Sequence, residues 1–465
     1  MPADTHARRH ADDAAASAEP ASRPGGGGDG AWTGGETGGR AVVTADTSAD
    51  ASASAAVDAT VEFGAAASVA AAPASARAGR PAASGSPAAP GPLPGPDPAW
   101  TDPAWTDQPL LRPLTLGSLT LPNRVVMAPL TRARAQNDGL VPTDLHALYY
   151  GQRAGAGLIV TEGVSVSERA IGFVHVPGLF TEEQVEGWRR VTGVVHALGG
   201  RIVAQLCHIG GASHPDLLGG ARPAGPSAID PEEMAYTADG FQPTGTPRAM
   251  TGADIDTAVE DFASAARNAR RAGFDGVEIH AVGSYLIPQF LNPQLNRRTD
   301  AYGGDAEGRR QLLLRIVDAA AEAWPGERRV GVRLSPYWTA KRFRPDAALL
   351  ADYDAAVAAL NDRPVAYLHL RGPDPEAPGR PDFAAFRRYR ELFRGPVLVN
   401  NGFDRASGNA AVEEGIADAV AYGAGFIANP DLVTRFALDR APAAGDPATF
   451  YIGGAEGYVD YPISG

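Results

Sequence analysis

Eight short apolar segments, each followed by an amphipathic segment, constrain the fold of this chain more than any other feature. The apolar segments lie at residues 124–130, 157–161, 201–206, 276–279, 329–334, 366–370, 396–399 and 419–421. Segments with helical apolar spacing follow them, at 145–154, 182–198, 254–272, 306–323, 346–360, 383–393 and 405–415, with an eighth that begins near Pro430. Eight strand–helix units in a row predict a parallel sheet closed as a (β/α)8 TIM barrel of the α/β class. An open doubly wound sheet is the alternative, although it usually contains fewer units.

Two segments do not fit the strand–helix repeat. Residues 114–123, LTLGSLTLPN, predict a small N-terminal hairpin across the bottom of the barrel. The Pro- and Gly-rich stretch from Gly211 to about Met250 is longer than an ordinary strand-to-helix loop. We therefore predict that it forms a lid inserted after strand 3.

Composition divides the chain near residue 105. Residues 1–105 consist mainly of Ala, Gly, Ser, Pro, Asp and Thr, with few aromatic residues. Such a segment buries too little apolar surface to offset its ordering entropy, so it is predicted to be a disordered extension. Residues 106–465 have the composition of a globular domain, and their length suits one α/β barrel with insertions.

Charge and cysteine content exclude several classes of partner. The formal net charge of −13 argues against nucleic-acid binding and against an electrostatic membrane surface. Apolar runs stay well short of the roughly 20 residues that span a bilayer. The single cysteine, Cys207, excludes an internal disulfide framework and fits a reducing cytoplasm. The His, Cys and Asp residues do not show the sequence spacing typical of metal ligands.

Candidate functional residues lie where the predicted strands end, because the active sites of α/β barrels lie at that face. A His can donate a hydrogen bond to a substrate oxygen, and a Tyr can deliver a proton. Strands 7 and 8 are followed by glycines, which let backbone N–H groups approach a phosphate. The candidates at these ends are Thr131, Gly163, Gln205, His280, Tyr285, Arg333, Asn401, Gly402, Gly423 and Ala424.

Nine motifs occur in order at these strand ends and in the loops beside them. They are MAPLTR, TEG, QLxHxG, SHPDLL, DGVEIH, NRRTDAYGG, VGVRLSP, FIANPDL and YIGGAEGYVDYP. Together they resemble the Old Yellow Enzyme family of FMN-dependent ene-reductases, over residues 110–463. The resemblance implies an FMN cofactor, with NADPH or NADH as the reductant that takes turns with a small-molecule substrate over one flavin face. The oligomeric state, monomer or homodimer, stays open.

The resemblance assigns the flavin contacts residue by residue. Thr131 would lie near O4, Gln205 at the pyrimidine edge, and Arg333 against N1 and O2, where its charge favours the reduced state. The backbone of Ala128, Pro129 and Gly163 would line the ring. Asn401, Gly402, Gly423 and Ala424 would surround the phosphate.

The resemblance also implies the catalytic pair. His280 would donate a hydrogen bond to the carbonyl oxygen of the substrate. Tyr285 would protonate the carbon next to the one that receives hydride. For His208 two roles stay open: an approach to the flavin edge or a contact with the lid.

Five positions depart from the family pattern. Gly283 replaces the second carbonyl donor, and Ser284 stands where Gly is usual. Cys207 replaces a Trp, Gly211 replaces an Arg, and Ala424 replaces the arginine on the FMN phosphate. The smaller side chains at Cys207 and Gly283 predict a specialised, bulky substrate. Backbone amides around Gly402 and Gly423 would then hold the phosphate.

Two alternatives remain beside an ene-reductase. The first is a redox-neutral flavin-dependent isomerase or cyclase, which would turn over without nicotinamide. The second is a flavin-free barrel that has lost catalysis, which the changes at Gly283 and Ala424 would favour.

Overall fold

The structure is a computed structural model of the chain and describes residues 107–463. The extension predicted to be disordered, residues 1–105, lies outside the described residues. The division into an extension and a barrel domain therefore stays a prediction.

Eight parallel strands close into a barrel, which confirms the predicted fold. In spatial order each strand pairs with the next, and the last pairs with the first. Apart from Gly163, every residue of these strands is buried, as expected for a parallel sheet between a packed interior and a layer of helices. The strands are β3 (Val125–Met127), β4 (Leu158–Ser165), β5 (Ile202–Cys207), β10 (Gly276–Ala281), β11 (Val330–Leu334), β12 (Val365–Arg371), β13 (Val397–Asn400) and β14 (Ala419–Tyr422).

Most helices of the outer layer lie where the apolar spacing predicts them. The longest, α3, begins after Thr251, whose hydroxyl accepts the N–H of Asp254, and ends with Arg270 and Arg271. This cap and these charges complement the two helix ends. The helices are α1 (Asp144–Gly151), α2 (Glu182–Ala197), α3 (Gly252–Arg271), α4 (Leu286–Leu291), α5 (Ala306–Ala321), α6 (Ala347–Leu360), α7 (Phe383–Leu392), α8 (Arg405–Glu413), α9 (Ala424–Ala428) and α10 (Leu432–Ala437). Short 3-10 helices cover Pro109–Leu111, Glu168–Ala170, Gly210–Ala212, Pro215–Leu217 and Pro447–Thr449.

Three short helices differ from the sequence-based expectation. Helix α4 begins directly after Tyr285, in a segment for which no helix was predicted. The eighth helix, predicted to begin near Pro430, is split into α9 and α10. Each of these helices has five or six residues, which is too short for a helical period to show in the sequence.

The predicted N-terminal hairpin closes the bottom of the barrel. Strands β1 (Leu114–Leu116) and β2 (Leu119–Leu121) pair antiparallel. Leu116, Leu119 and Leu121 are buried in a cluster with apolar side chains of the barrel strands. This apolar plug leaves the opposite end of the barrel, where the strands terminate, for the functional site.

The insertion after β5 forms two small sheets. Strand β6 (Ala224–Gly225) pairs with β9 (Arg248–Ala249), and β7 (Met234–Thr237) forms a hairpin with β8 (Gly240–Pro243). The ring of Tyr236 in this hairpin stacks on Phe173, with ring centroids 4.8 Å apart. Phe173 lines the cavity described below, so the insertion contacts its wall. Within residues 107–463, no helix is long and apolar enough to cross a membrane.

Candidate active site

A cavity lies at the end of the barrel where the strands terminate. Seven of the twelve residues proposed from the sequence line it: Pro129, Thr131, Gly163, Gln205, His280, Tyr285 and Arg333. The remaining wall consists of Ser165, Gly172, Phe173, Val176, Cys207, Ile209, Val282, Gly283 and Trp338. The side chains therefore converge from five strands and the turns that follow them.

Gln205 presents its amide oxygen on the side of the cavity. Its Nε2–H donates to Glu278 at 2.8 Å, and a carboxylate only accepts, so the orientation of the amide is determined. The register between β4 and β5 shifts after Val160, which brings Gly163 opposite Gln205. A Cβ on Gly163 would lie 3.4 Å from Oε1 of Gln205. This oxygen accepts no hydrogen bond from the residues that the structure describes.

Glu278 is a buried carboxylate below the cavity floor. His369 contacts it through Nδ1 at 2.9 Å, and both side chains are fully buried. Burial favours the neutral acid, but the charges of His369 and Arg333 and the hydrogen bonds of His369 and Gln205 outweigh it and lower the pKa of Glu278. The ionised carboxylate is therefore the group that holds Gln205 in place.

Arg333 supplies the positive charge of the site. It lies beside His280 in the register of β10 and β11 and is 2% exposed. Its Nη2–H donates to Oδ1 of Asn400 at 2.8 Å, and the amide of Asn400 donates to the carbonyl of Ala421. This chain of hydrogen bonds fixes the guanidinium at the cavity wall.

Glu162 holds the turn that follows Thr131. Its Oε2 accepts the backbone N–H groups of Arg132 at 3.2 Å and Ala133 at 3.3 Å. Ala133 has a φ of 54°, a left-handed conformation that this carboxylate stabilises. Burial raises the pKa of Glu162 to about 7, against the opposing effect of the two N–H donors and of Arg132 and Arg134. Thr131 thus projects from a constrained turn.

His280 and Tyr285 form a pair on the wall. Their ring centroids lie 5.0 Å apart with the planes tilted by 41°. The N–H of Val282 donates to Nδ1 of His280 at 3.3 Å, so Nε2 carries the proton of the neutral ring. Tyr285 occupies the N-cap position of α4, and its side chain makes no capping hydrogen bond to this helix. The pair combines a hydrogen-bond donor with a hydroxyl group that can release a proton.

Gly283 adopts a left-handed conformation beside an aromatic residue that the sequence analysis missed. Its φ is 70°, and its N–H donates to Oγ of Ser335 at 2.9 Å. A Cβ at this position would lie 3.9 Å from the ring of Trp338. Trp338 therefore occupies part of the space expected beside Gly283. Its only signal in the sequence is its place shortly after strand 5.

Trp338 has two further features that affect the wall of the cavity. Its indole N–H is buried and finds no acceptor within residues 107–463. The guanidinium of Arg371, at the end of β12, lies 4.9 Å from the centre of its ring. Arg371 is buried and donates to Asp374 at 2.7 Å. Nothing in the sequence marks Arg371 as a residue of the site.

Cys207 and His208 differ in what they face. Cys207 lines the cavity, and burial raises the pKa of its thiol well above the usual value, so the group is neutral. His208 lines a separate cavity with residues of the insertion, among them Arg222 and Arg248. Of the two roles left open for His208, this position favours a contact with the lid.

Five proposed cofactor residues lie outside the lining of the cavity. The N–H of Ala128 donates to the carbonyl of Tyr422, and the amide of Asn401 donates to the carbonyl of Pro373 at 2.9 Å. Gly402 has a φ of 80°. The roles predicted for these positions stay predictions: Ala128, Asn401, Gly402, Gly423 and Ala424.

The residues that line the cavity fit a flavin ring. The pyrimidine edge of a flavin presents an N–H donor between two carbonyl acceptors, with negative charge near N1 when it is reduced. The Gln205 oxygen on the cavity side suits the donor, while Thr131 and Arg333 suit the acceptors and the charge. Gly163 leaves room beside Gln205 for a flat ring.

Comparisons with known proteins give the family. A family model described as NADH:flavin oxidoreductase / NADH oxidase family matches residues 109–442. The chain is 39% identical over 362 residues to 12-oxophytodienoate reductase 1 of Oryza sativa subsp. japonica, covering 76% of this chain and 93% of the rice protein. It is 40% identical over 361 residues to a Leishmania infantum protein named as a probable flavin mononucleotide-dependent alkene reductase, covering 76% and 97%.

Comparison with solved structures gives the same family. The structure of morphinone reductase in complex with tetrahydroNAD is 44% identical and superposes with a TM-score of 0.71, covering 77% of this chain and 98% of that one. The matched region contains the whole barrel and the cavity described above. The chain therefore belongs to the NADH:flavin oxidoreductase / NADH oxidase family, the Old Yellow Enzyme family that its motifs resemble, and is an NAD(P)H-dependent flavin oxidoreductase.

Proposed function

We propose that the protein reduces a C=C bond conjugated to a carbonyl group, with FMN in the cavity and NADPH or NADH as the reductant. The observation that carries the proposal is the convergence of Gln205, Arg333, His280 and Tyr285 on one cavity. Relatives named as an alkene reductase and as morphinone and 12-oxophytodienoate reductases support it.

Gln205, Thr131 and Arg333 would hold the flavin ring. Bound FMN supplies the hydride that the alkene receives. Gln205 accepts from the ring N–H because Glu278 keeps its amide oxygen turned to that side. Arg333 places a positive charge that stabilises the reduced cofactor.

His280 and Tyr285 would act on the substrate. The Nε2–H of His280 donates to the carbonyl oxygen and stabilises the charge that develops there. The hydroxyl of Tyr285 donates a proton to the carbon next to the one that receives hydride, which balances the reduction. The Gly283 position lacks a side-chain donor, so the carbonyl depends on His280 more than in a two-donor site. The small side chain at Cys207 supports a bulky substrate, whereas Trp338 occupies part of the space beside Gly283.

The experiment follows the flavin by its visible absorption. The protein is purified, reduced anaerobically with NADPH and separately with NADH, and then mixed with cyclohex-2-enone or a bulkier enone. We expect the flavin absorption to bleach when a nicotinamide is added and to return when an enone is added. The return should be faster with the bulkier enone. Turnover without nicotinamide would instead indicate a redox-neutral isomerase or cyclase. A protein that cannot be loaded with FMN would contradict the proposal.

A further inference from the structure

A small side cavity adjoins the active-site cavity behind Tyr285. Its wall consists of Gly172, Ile209, Ala212, Glu233, Met234, Ser284 and Tyr285. Three of these residues, Gly172, Ile209 and Tyr285, also line the main cavity. The two spaces are therefore neighbours across a shared wall. A Cβ on Gly172 would lie 2.3 Å from Cγ1 of Ile209, so the glycine permits the close approach that forms this wall.

Glu233 is the one carboxylate in the lining of the side cavity. It belongs to the insertion and directly precedes β7. Its Oε1 accepts the hydroxyl of Ser284 at 2.5 Å, and its backbone N–H donates to Oγ1 of Thr244 at 3.0 Å. Within residues 107–463, Oε2 of Glu233 accepts no hydrogen bond and takes part in no ion pair.

The surroundings of Glu233 leave a negative charge incompletely compensated. Ile209, Ala212 and Met234 provide apolar walls. Burial raises the pKa of Glu233, while Ser284 and the more distant charge of Lys341 lower it by less. Glu233 is only partly buried, so its carboxylate is accessible to a ligand as well as to solvent. A carboxylate between apolar walls, with a single hydroxyl donor among the described residues, gains from a positively charged partner that also donates a hydrogen bond.

We propose that this side cavity binds a protonated amine carried by the substrate. The proposal rests on the proposed function, because the reacting alkene must lie beside His280 and Tyr285 while the amine reaches past Tyr285 to Glu233. The substrate class is then an enone or related alkene with a short arm that ends in a basic amine. Ile209 and Met234 contact the alkyl groups on the nitrogen, and Oε2 of Glu233 accepts its N–H.

A purely structural role for Glu233 makes a different prediction. The hydrogen bond to Ser284 connects the insertion to the turn that carries Tyr285, so Glu233 could serve only to hold the insertion in place. Loss of such a contact would affect every substrate equally. Loss of an amine site affects a charged substrate more than an uncharged one of the same shape.

The test uses two cyclohexenones that differ in one atom. One carries a dimethylaminoethyl arm, and the other carries a 3-methylbutyl arm with carbon in place of nitrogen. The dissociation constant of each compound for the FMN-loaded protein is measured by calorimetry, and kcat/KM is measured with NADPH. We expect the wild-type protein to bind the amine about tenfold more tightly than the neutral compound, and Glu233→Gln to reduce this ratio to about one.

Glu232→Gln is the matched control. Glu232 is the preceding residue, is paired with Arg342, and does not line the side cavity. This variant should keep the tenfold ratio. Glu233→Ala is the second variant if Glu233→Gln does not fold, and it should likewise reduce the ratio to about one.

The outcomes separate the two proposals. Equal binding of both compounds by the wild-type protein overturns the amine site, as does an equal loss for both compounds in Glu233→Gln. Tight, Glu233-dependent binding of the amine without any reduction of either enone would support the amine site and contradict the reductase. Reduction of both enones at equal rates with equal affinity would support the reductase alone.

Discussion

The side-chain N–H of Gln205 donates to the carboxylate of Glu278 at 2.8 Å, and this contact decides which end of the Gln205 amide faces the cavity. Glu278→Gln removes the charge and allows the Gln205 amide to turn over. A misoriented or unsatisfied buried amide costs roughly 1–3 kcal/mol, so we expect FMN to bind about 5- to 150-fold more weakly. Equilibrium dialysis with FMN measures this change. Glu391→Gln, on an exposed part of α7, is the control, and an unchanged affinity in Glu278→Gln would contradict the assigned orientation.

Tyr285→Phe should separate the two half-reactions. Reduction of the flavin by nicotinamide should proceed at the wild-type rate, because it needs no proton from this hydroxyl. Reoxidation by an enone should slow by about 10²–10⁴-fold, the usual contribution of a general acid. Stopped-flow absorbance resolves both steps. Tyr337→Phe, outside the cavity lining, is the control, and an equal slowing of both steps would argue for a structural role.

Gly283→Asn should restore a second donor for the carbonyl oxygen. The φ of 70° is one that Asn tolerates better than most residues, and the nearest atoms to a new Cβ lie 3.9 Å away. One additional donor of this type contributes roughly 3–4 kcal/mol in known cases, so kcat/KM for cyclohex-2-enone should rise by about 10²-fold or more. Gly283→Ala adds the Cβ without the donor and should show no such gain. Equal activities of the two variants would mean that the amide does not reach the carbonyl.

Glu162 should make stability depend on pH. Its pKa is raised to about 7 in the fold, above the value of about 4.5 in the unfolded chain, so folding favours the protonated acid. The stability that this group contributes is therefore complete below pH 4.5 and is lost as the pH rises through about 7, by up to roughly 1.4 kcal/mol per pH unit. Urea unfolding of the wild-type protein and of Glu162→Gln between pH 5 and 8 tests this. The variant should show the shallower dependence, and parallel curves would contradict the prediction.

A protein that begins at residue 106 should fold like the full chain. Residues 1–105 contain few large apolar or aromatic side chains, which predicts that this segment adds little to the core. Thermal unfolding followed by circular dichroism should give a midpoint within about 1 °C of the full-length value, which for a chain of this size is a stability difference of under ~1 kcal/mol. Insoluble or unfolded protein on this truncation would contradict the predicted disorder.

The barrel could be predicted because each strand is buried on both faces and therefore appears as a short apolar run. Residues such as Val277, Ile279 and Val332 show this pattern without any knowledge of their neighbours. Helix α4 could not be predicted in the same way, since its six residues, five apolar and one a buried glutamine, are all buried by tertiary contacts and show no polar face. Helices α9 and α10 could not be predicted as separate helices because each is too short to show a helical period.

Gln205, Arg333, His280 and Tyr285 could be named from the sequence because strand ends in a parallel barrel meet at one face. The motifs that contain these residues also occur along the chain in the order typical of the family. Trp338, Glu233 and Glu278 were missed, because nothing local marks them. A tryptophan in a loop, an acid in an insertion and an acid inside a strand acquire a role only from the residues that they contact.

The sequence by itself determined the fold class, the family and the set of groups available for chemistry, since these depend on periodicity and residue type along the chain. Only the tertiary structure decided the orientation of those groups. Glu278 turns Gln205, Trp338 borders the space at Gly283, and the insertion brings Glu233 to Ser284 from 51 residues away. Hydrogen-bond direction and desolvation are set by neighbours in space, and the order of residues along the chain does not specify them.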